Sequence, residues 1–213
     1  MPQRPEKPRK KGKTDLMSRT SCIILRKTPF QETGLILACL SPDLGRIDLL
    51  CRGVRKFGKR SFPVIALFRE ISIDFKEPKN ASGLAFLRAP EPVLSHDALA
   101  EEPAAYMAAC TLASFLLRNS RPMVSLPDTF RALSLMLTRT AETRTAEPWL
   151  SYVKLVFLCE NGLISVPEDR QAILDSVIAF ATGLQSGPPP FRPDFRERFV
   201  RWIENQAERC SLS

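Results

Sequence analysis

Five short runs with strand character all fall before residue 89, and helical periodicity takes over beyond residue 97. The runs are Thr20 to Lys27, Leu35 to Leu40, Arg46 to Arg52, a longer one within Val64 to Phe75, and Leu84 to Arg88. In the second run Leu35, Leu37 and Cys39 alternate with Ile36, Ala38 and Leu40, so both faces of the strand are apolar. The third run sets Ile47, Leu49 and Cys51 against Arg46, Asp48, Leu50 and Arg52, one core face and one largely wet face. Between them Pro42-Asp43-Leu44-Gly45 carries turn chemistry, which predicts a hairpin. Within Glu70 to Lys76, Ile71, Ile73 and Phe75 alternate with Ser72, Asp74 and Lys76, and residues 77–83 read as a turn. Five short strands ahead of any helix suit an OB-fold barrel, a fold that binds single strands in a basic groove with stacked aromatics but does not by itself prove that use.

Ala89-Pro90-Glu91-Pro92 interrupts the strand pattern and sets the expected domain boundary. Helices are predicted at Pro103 to Arg118, Asp128 to Thr140, Pro148 to Glu160, Pro167 to Ala181 and Asp194 to Arg209. The third begins with a proline where no amide donor is needed and ends before Asn161-Gly162, a good C-cap. In the last, Phe195, Phe199, Trp202 and Ile203 form an apolar stripe that predicts a docked terminal helix. The apolar stretch from Ala104 to Leu117 is short of the roughly 20 residues that cross a bilayer and reads as core. The expected organisation is an α+β two-domain chain. A disordered basic arm occupies 1–18, a five-stranded OB-fold β-barrel 19–92, and an all-helical domain 93–213.

Charge divides along the same line. Residues 1–90 hold 19 Lys and Arg against 8 Asp and Glu, whereas the remainder holds 12 against 15. A basic half of this kind steers polyanions toward itself before any specific contact forms. Its densest part follows the third strand: Arg55, Lys56, Lys59 and Arg60 surround Phe57 between Gly53 and Gly58. Cations release counterions from phosphates, and an exposed ring offers a base something to stack on. The candidate nucleic-acid contacts are therefore Arg46, Arg52, Arg55, Lys56, Phe57, Lys59 and Arg60; the alternative is a basic, solvated surface loop. A membrane surface is the other polyanion, but no amphipathic helix with a basic face lies in the N-terminal half. Residues 1–18 mix Pro2, Pro5 and Pro8 with Arg4, Lys7, Arg9, Lys10, Lys11 and Lys13, and no apolar h-region of a secretory signal follows.

Six cysteines, Cys22, Cys39, Cys51, Cys110, Cys159 and Cys210, form no CxxC pair, so neither a structural zinc site nor any other metal or cofactor is expected. All but Cys210 sit in apolar runs, where a reduced thiol packs as a small hydrophobe. His96 is the sole histidine, beside Asp97 at a helix start, and no P-loop, GxGxxG or HExxH is present. No enzyme activity is expected.

The run Pro29-Phe30, Glu32-Thr33 and Leu35-Ile36, followed by Ser41-Pro42-Asp43-Leu44-Gly45-Arg46-Ile47, Arg52-Gly53, and Arg55-Lys56 spaced before Lys59-Arg60-Ser61-Phe62, resembles the N-terminal segment of the RecO family of bacterial recombination mediators. Similarity extends from Thr20 to Arg88 and continues at Leu155 to Leu163, which looks like that family's leucine-rich helix and following Gly junction. Two departures stand out: Phe62 to Phe68 replaces a Gly-rich stretch, and Asn161 to Pro167 leads straight into a helix where many relatives carry a four-cysteine zinc module. The resemblance implies DNA repair and recombination in the bacterial cytoplasm, at the nucleoid. It implies binding of single- and double-stranded DNA, annealing of complements, and displacement of single-stranded-DNA-binding protein so that RecA is loaded together with RecR. It also implies a helical-domain site for the acidic, Phe-ended tail of single-stranded-DNA-binding protein, for which Arg118, Arg121, Phe130 and Arg131 have suitable chemistry. A plain OB-fold DNA- or RNA-binding module, and an interaction scaffold that binds no nucleic acid, are the alternatives.

Overall fold

A strand that is apolar on both faces must be covered on both. In the computed structural model, which describes residues 17–52, 65–76, 84–164, 166 and 168–211, the barrel interior covers one side and a helical layer the other. Strands β1 (Met17–Phe30), β2 (Gly34–Ser41), β3 (Gly45–Cys51), β4 (Glu70–Lys76) and β5 (Ala85–Leu94) close in the order β1-β2-β3-β5-β4, the five-stranded OB-fold barrel. Pairings are antiparallel except β3 with β5, which run parallel through Leu49 beside Ala85 and Leu50 beside Phe86. A 3-10 turn at Asp97–Glu101 leads into α1 (Pro103–Asn119), α2 (Pro127–Thr143), α3 (Trp149–Glu160), α4 (Glu168–Ala181) and α5 (Pro193–Ser211).

Alternation along β1 and β2 sorts residues between two cores. Cys22, Ile24, Leu37 and Cys39 point into the barrel with Leu49, Ile71, Ile73 and Phe75. Their neighbours Ile23, Leu25, Ala38 and Leu40 point outward into a core built with Leu99, Leu112, Leu116 and Leu133. Burying an aliphatic side chain of this size contributes about 1.5–3 kcal/mol, so the helices stabilise the barrel wall they cover. Phe68, with φ of 62°, joins the same core and meets Tyr106 edge to face at 5.6 Å.

Two further connections fix the layers together. Gly45, at φ 60°, ends the predicted turn, and a Cβ there would lie 2.2 Å from the Val124 carbonyl oxygen and 2.8 Å from that of Arg121. Only glycine fits such close approach. The loop between α1 and α2 docks on this turn: the Met123 amide donates to the Leu44 carbonyl and the Leu126 amide to the Pro42 carbonyl, both at 2.8 Å. On the far side the Arg69 guanidinium grips both oxygens of Asp97.

Three expectations need correction. β1 begins at Met17, with Met17 and Ser18 paired to Lys76 and Phe75, so the strand starts inside the segment read as an arm; residues 1–16 lie outside the described residues. Within the described part of Val64 to Phe75, only the portion from Glu70 is strand, because the chain turns at Phe68. β5 runs on through Pro90 and Pro92 to Leu94. Its pairing with β3 stops at Phe86, so the later half lacks that neighbour, and its register against β4 shifts twice, once between Arg88 and Glu91, where Ala89 has positive φ, and once between Pro92 and Leu94. Bulges and edges tolerate proline. The helices match their expected spans to within a few residues. Among the described residues, no helix is long and apolar enough to cross a membrane.

Candidate nucleic-acid interface

Of the predicted nucleic-acid contacts, Arg55, Lys56, Phe57, Lys59 and Arg60 lie outside the described residues; Arg46 and Arg52 lie within them. Arg46 is a strut. Its two terminal nitrogens donate, each at 3.0 Å, to the Leu117 carbonyl on α1 and to the Asp48 carboxylate, tying β3 to the helical layer. Arg52, just past β3, is exposed, and its guanidinium carbon sits 4.8 Å above the ring centroid of Phe86 on β5. Phe86 itself is 42% exposed.

Sequence reading missed Phe86 as a surface ring, because alternation in Leu84 to Arg88 does not say which face is inside. The parallel pairing settles it: Ala85 is buried in the barrel and Leu87 packs against the same core, so Phe86 points out. Also missed is a cleft of about 490 Å3 between β1 and α1, with Arg26, Lys27, Arg46 and Arg118 around a floor that includes Leu25 and Leu117.

The residues proposed for an acidic tail are dispersed. Arg118, in the last turn of α1, lines the β1–α1 cleft. Arg121 is exposed, and its carbonyl abuts Gly45. Phe130 packs against the helical core, and Arg131 pairs with Asp128 at 3.9 Å. The start of α2 beside them already holds an internal carboxylate. Glu160, from the end of α3, accepts from the amides of Asp128 and Thr129 at 3.0 and 2.9 Å and from the Thr129 hydroxyl. A helix N-terminus so occupied has little left to offer an external anion. Cations beside apolar rings meet elsewhere, in a groove of about 620 Å3 between α4 and α5, where Arg170, Arg198 and Arg209 border Phe195, Phe199 and Trp202. The sequence signal was the aromatic stripe of α5. Ile203 and Ala207 are buried as a docked helix requires, while Phe195 and Trp202 are only half-buried.

The remaining reactive groups are placed structurally. His96 is buried, with Nδ1 3.4 Å from the Thr138 hydroxyl, and burial lowers its pKa to about 4 against the weaker opposing effect of Asp97. Asp97 is held below the usual carboxylate range, chiefly by its hydrogen bond from Arg69. Cys22, Cys39 and Cys51 fill the barrel, and burial pushes the Cys51 thiol up to about 12.

The chain is similar in sequence to known proteins. Residues 17–96, the span of the barrel, match the family model described as recombination protein O N terminal. The proteins named DNA repair protein RecO from three Vibrio cholerae serotype O1 strains, O395, M66-2 and El Tor N16961, are each 30% identical to this chain over 142 residues. That alignment covers 66% of this chain and 56% of each relative, so the chain spans about half the length of the curated relatives it matches.

Proposed function

This chain belongs to the RecO family through its N-terminal domain, and from that premise we propose that it is a DNA repair and recombination mediator. The observation that carries the reading is a closed five-stranded barrel of that family whose third strand runs into a dense basic segment, Arg52 to Arg60.

The mechanism is electrostatic. Single- and double-stranded DNA bind the basic half of the chain, Arg52, Arg55, Lys56, Lys59 and Arg60 neutralise phosphates, and Phe57 stacks on a base. Two complementary strands held this way repel each other less while their pairing edges stay open, so annealing proceeds without covalent chemistry and without an enzyme's active site. The acidic, Phe-ended tail of single-stranded-DNA-binding protein docks on the helical layer. The α4–α5 groove suits it better than the dispersed set of Arg118, Arg121, Phe130 and Arg131, because there three guanidinium groups flank rings that are incompletely covered. Docking brings the chain to coated DNA at the nucleoid, where it helps displace the coat and, with RecR, leads to RecA loading.

The test is fluorescence-monitored annealing of complementary oligonucleotides coated with cognate single-stranded-DNA-binding protein. Acceleration by this chain at moderate salt is the expected result. Binding to bare strands with no acceleration reduces the protein to a nucleic-acid-binding module, and no binding leaves a scaffold.

A further inference from the structure

A bulge in β1 turns two consecutive side chains the same way. Ile24 pairs with Cys39 and Arg26 with Ala38, so Leu25 is an extra residue with no partner on β2. Cys39 points into the barrel and Ala38 outward, so Arg26 faces outward, on the same side as Leu25. Unbroken alternation would instead aim Arg26 into the barrel. The bulge thus sets a buried leucine, 4% exposed, beneath an exposed guanidinium in the β1–α1 cleft.

The rest of the cleft repeats that arrangement. Arg118 stands exposed on the α1 side, Lys27 and Arg46 complete a set of four cations, and Leu67 and Leu117 extend the floor. No carboxylate lines the cleft among the described residues, and Asp48, two residues from Arg46 on β3, is paired with Arg46. Arg26 has no hydrogen bond or ion pair among the described residues, and Arg118 donates only from Nε, to the Ser114 carbonyl at 3.4 Å. Four like charges around one hole repel one another, and an anion bound between them removes that cost.

Size and lining select among anions. A cleft of about 490 Å3 falls within the range of small-molecule sites, about 300–1,000 Å3. Its apolar floor gives a bare inorganic anion nothing to bury. A nucleic-acid strand needs a groove that tracks several nucleotides, and a folded partner about 800 Å2 of packed surface. A compact ligand with several negative charges at one end and an uncharged body at the other fits instead. Going beyond the nucleic-acid reading, we infer that the β1–α1 cleft binds a nucleoside di- or triphosphate. Its phosphates lie on Arg26, Lys27 and Arg118, and its nucleoside over Leu25, Leu67 and Leu117. Arg46 lends charge while holding β3 to α1, since both its terminal nitrogens are engaged inside the protein. Because such a ligand touches both layers, binding clamps the helical domain on the barrel.

The test is isothermal titration calorimetry of the full chain with ATP, ADP, AMP and inorganic triphosphate. ATP and ADP should bind at least about tenfold more tightly than AMP, because AMP cannot span the cations. ATP should bind at least about fivefold more tightly than inorganic triphosphate, which carries the charge without the body. ATP should also raise the melting temperature by mass action. Arg26→Ala/Arg118→Ala should weaken ATP binding about tenfold or more. Ser114→Trp keeps every cation and sets a ring in the cleft from an exposed position on α1, so it should weaken ATP as much. Melting of each variant without nucleotide checks that it is folded. Absence of ATP binding, equal binding of inorganic triphosphate, or full ATP affinity in either folded variant would overturn the inference, the last because the basic chain would then be attracting ATP elsewhere. The nucleic-acid reading survives each of these outcomes.

Discussion

The barrel has two kinds of outer wall. Where β1 and β2 face the helices, Ile23, Leu25 and Leu40 are at most 4% exposed; on β5, Phe86, Val93 and Leu94 stand 41–53% exposed. Both walls are rich in apolar side chains, so composition does not separate them. The difference is cover. The helical layer stabilises one wall intramolecularly, whereas Phe86 on the other is covered only in part, with the Arg52 guanidinium over its ring.

Stability and binding should therefore separate by wall. The largest loss is expected at the covered wall: Phe68→Ala removes a ring 1% exposed together with its contact to Tyr106, and should cost about 3–5 kcal/mol in chemical denaturation. A loss below about 1 kcal/mol would mean that the helices add little to the barrel.

The seam between the layers should also be acid-sensitive. His96, buried next to Thr138 of α2, has its pKa lowered to about 4 in the folded protein, against about 6.5 in the unfolded chain. Below pH 6.5 the unfolded chain binds a proton that the folded protein refuses. The contribution is therefore intact above pH 6.5 and lost as pH falls toward 4, by roughly 3 kcal/mol over the whole interval. Unfolding free energies measured across that range should fall for the wild type and lie nearly flat in the same interval for His96→Gln; parallel curves would show that another group controls the seam.

A smaller cost, about 1–3 kcal/mol, is expected for Gly45→Ala, which places a methyl group against the carbonyls of Val124 and Arg121 in a left-handed backbone conformation. Amide exchange should report its location, with Leu126 and Met123 losing protection before the barrel strands do. The smallest effect is on the exposed wall: Phe86→Ala should change stability by no more than about 0.5 kcal/mol, so that any binding defect is a defect of the surface. A melting temperature lowered as far as in Phe68→Ala would erase the contrast between the walls.

The sequence made legible whatever depends on local periodicity. Alternation in Leu35 to Leu40 predicted a strand covered on both sides, and the turn chemistry of Pro42 to Gly45 predicted the hairpin that follows. What it could not supply is which distant element does the covering. Arg46 was read as a wet-face cation because it alternates with Ile47 and Leu49, yet the end of α1 places a carbonyl within its reach. Phe130 and Arg131 looked available beside Arg118 and Arg121, but Glu160, a turn and a helix away in the chain, occupies the helix start between them. Pro90 and Pro92 read as a break because local rules assume a strand paired on both sides, and this half of β5 lacks its β3 partner. Glycine at 45 signalled a turn without showing that the turn is also a docking point.

The most direct test of the contrast between the walls is hydrogen–deuterium exchange of the full chain with and without a saturating single-stranded oligonucleotide. Slowed exchange at the end of β3 and in the first half of β5 around Phe86, with the helix-covered parts of β1 and β2 unchanged, is the result expected. Protection confined to the α4–α5 groove, with none at the end of β3, would contradict the proposal that nucleic acid is bound through the barrel.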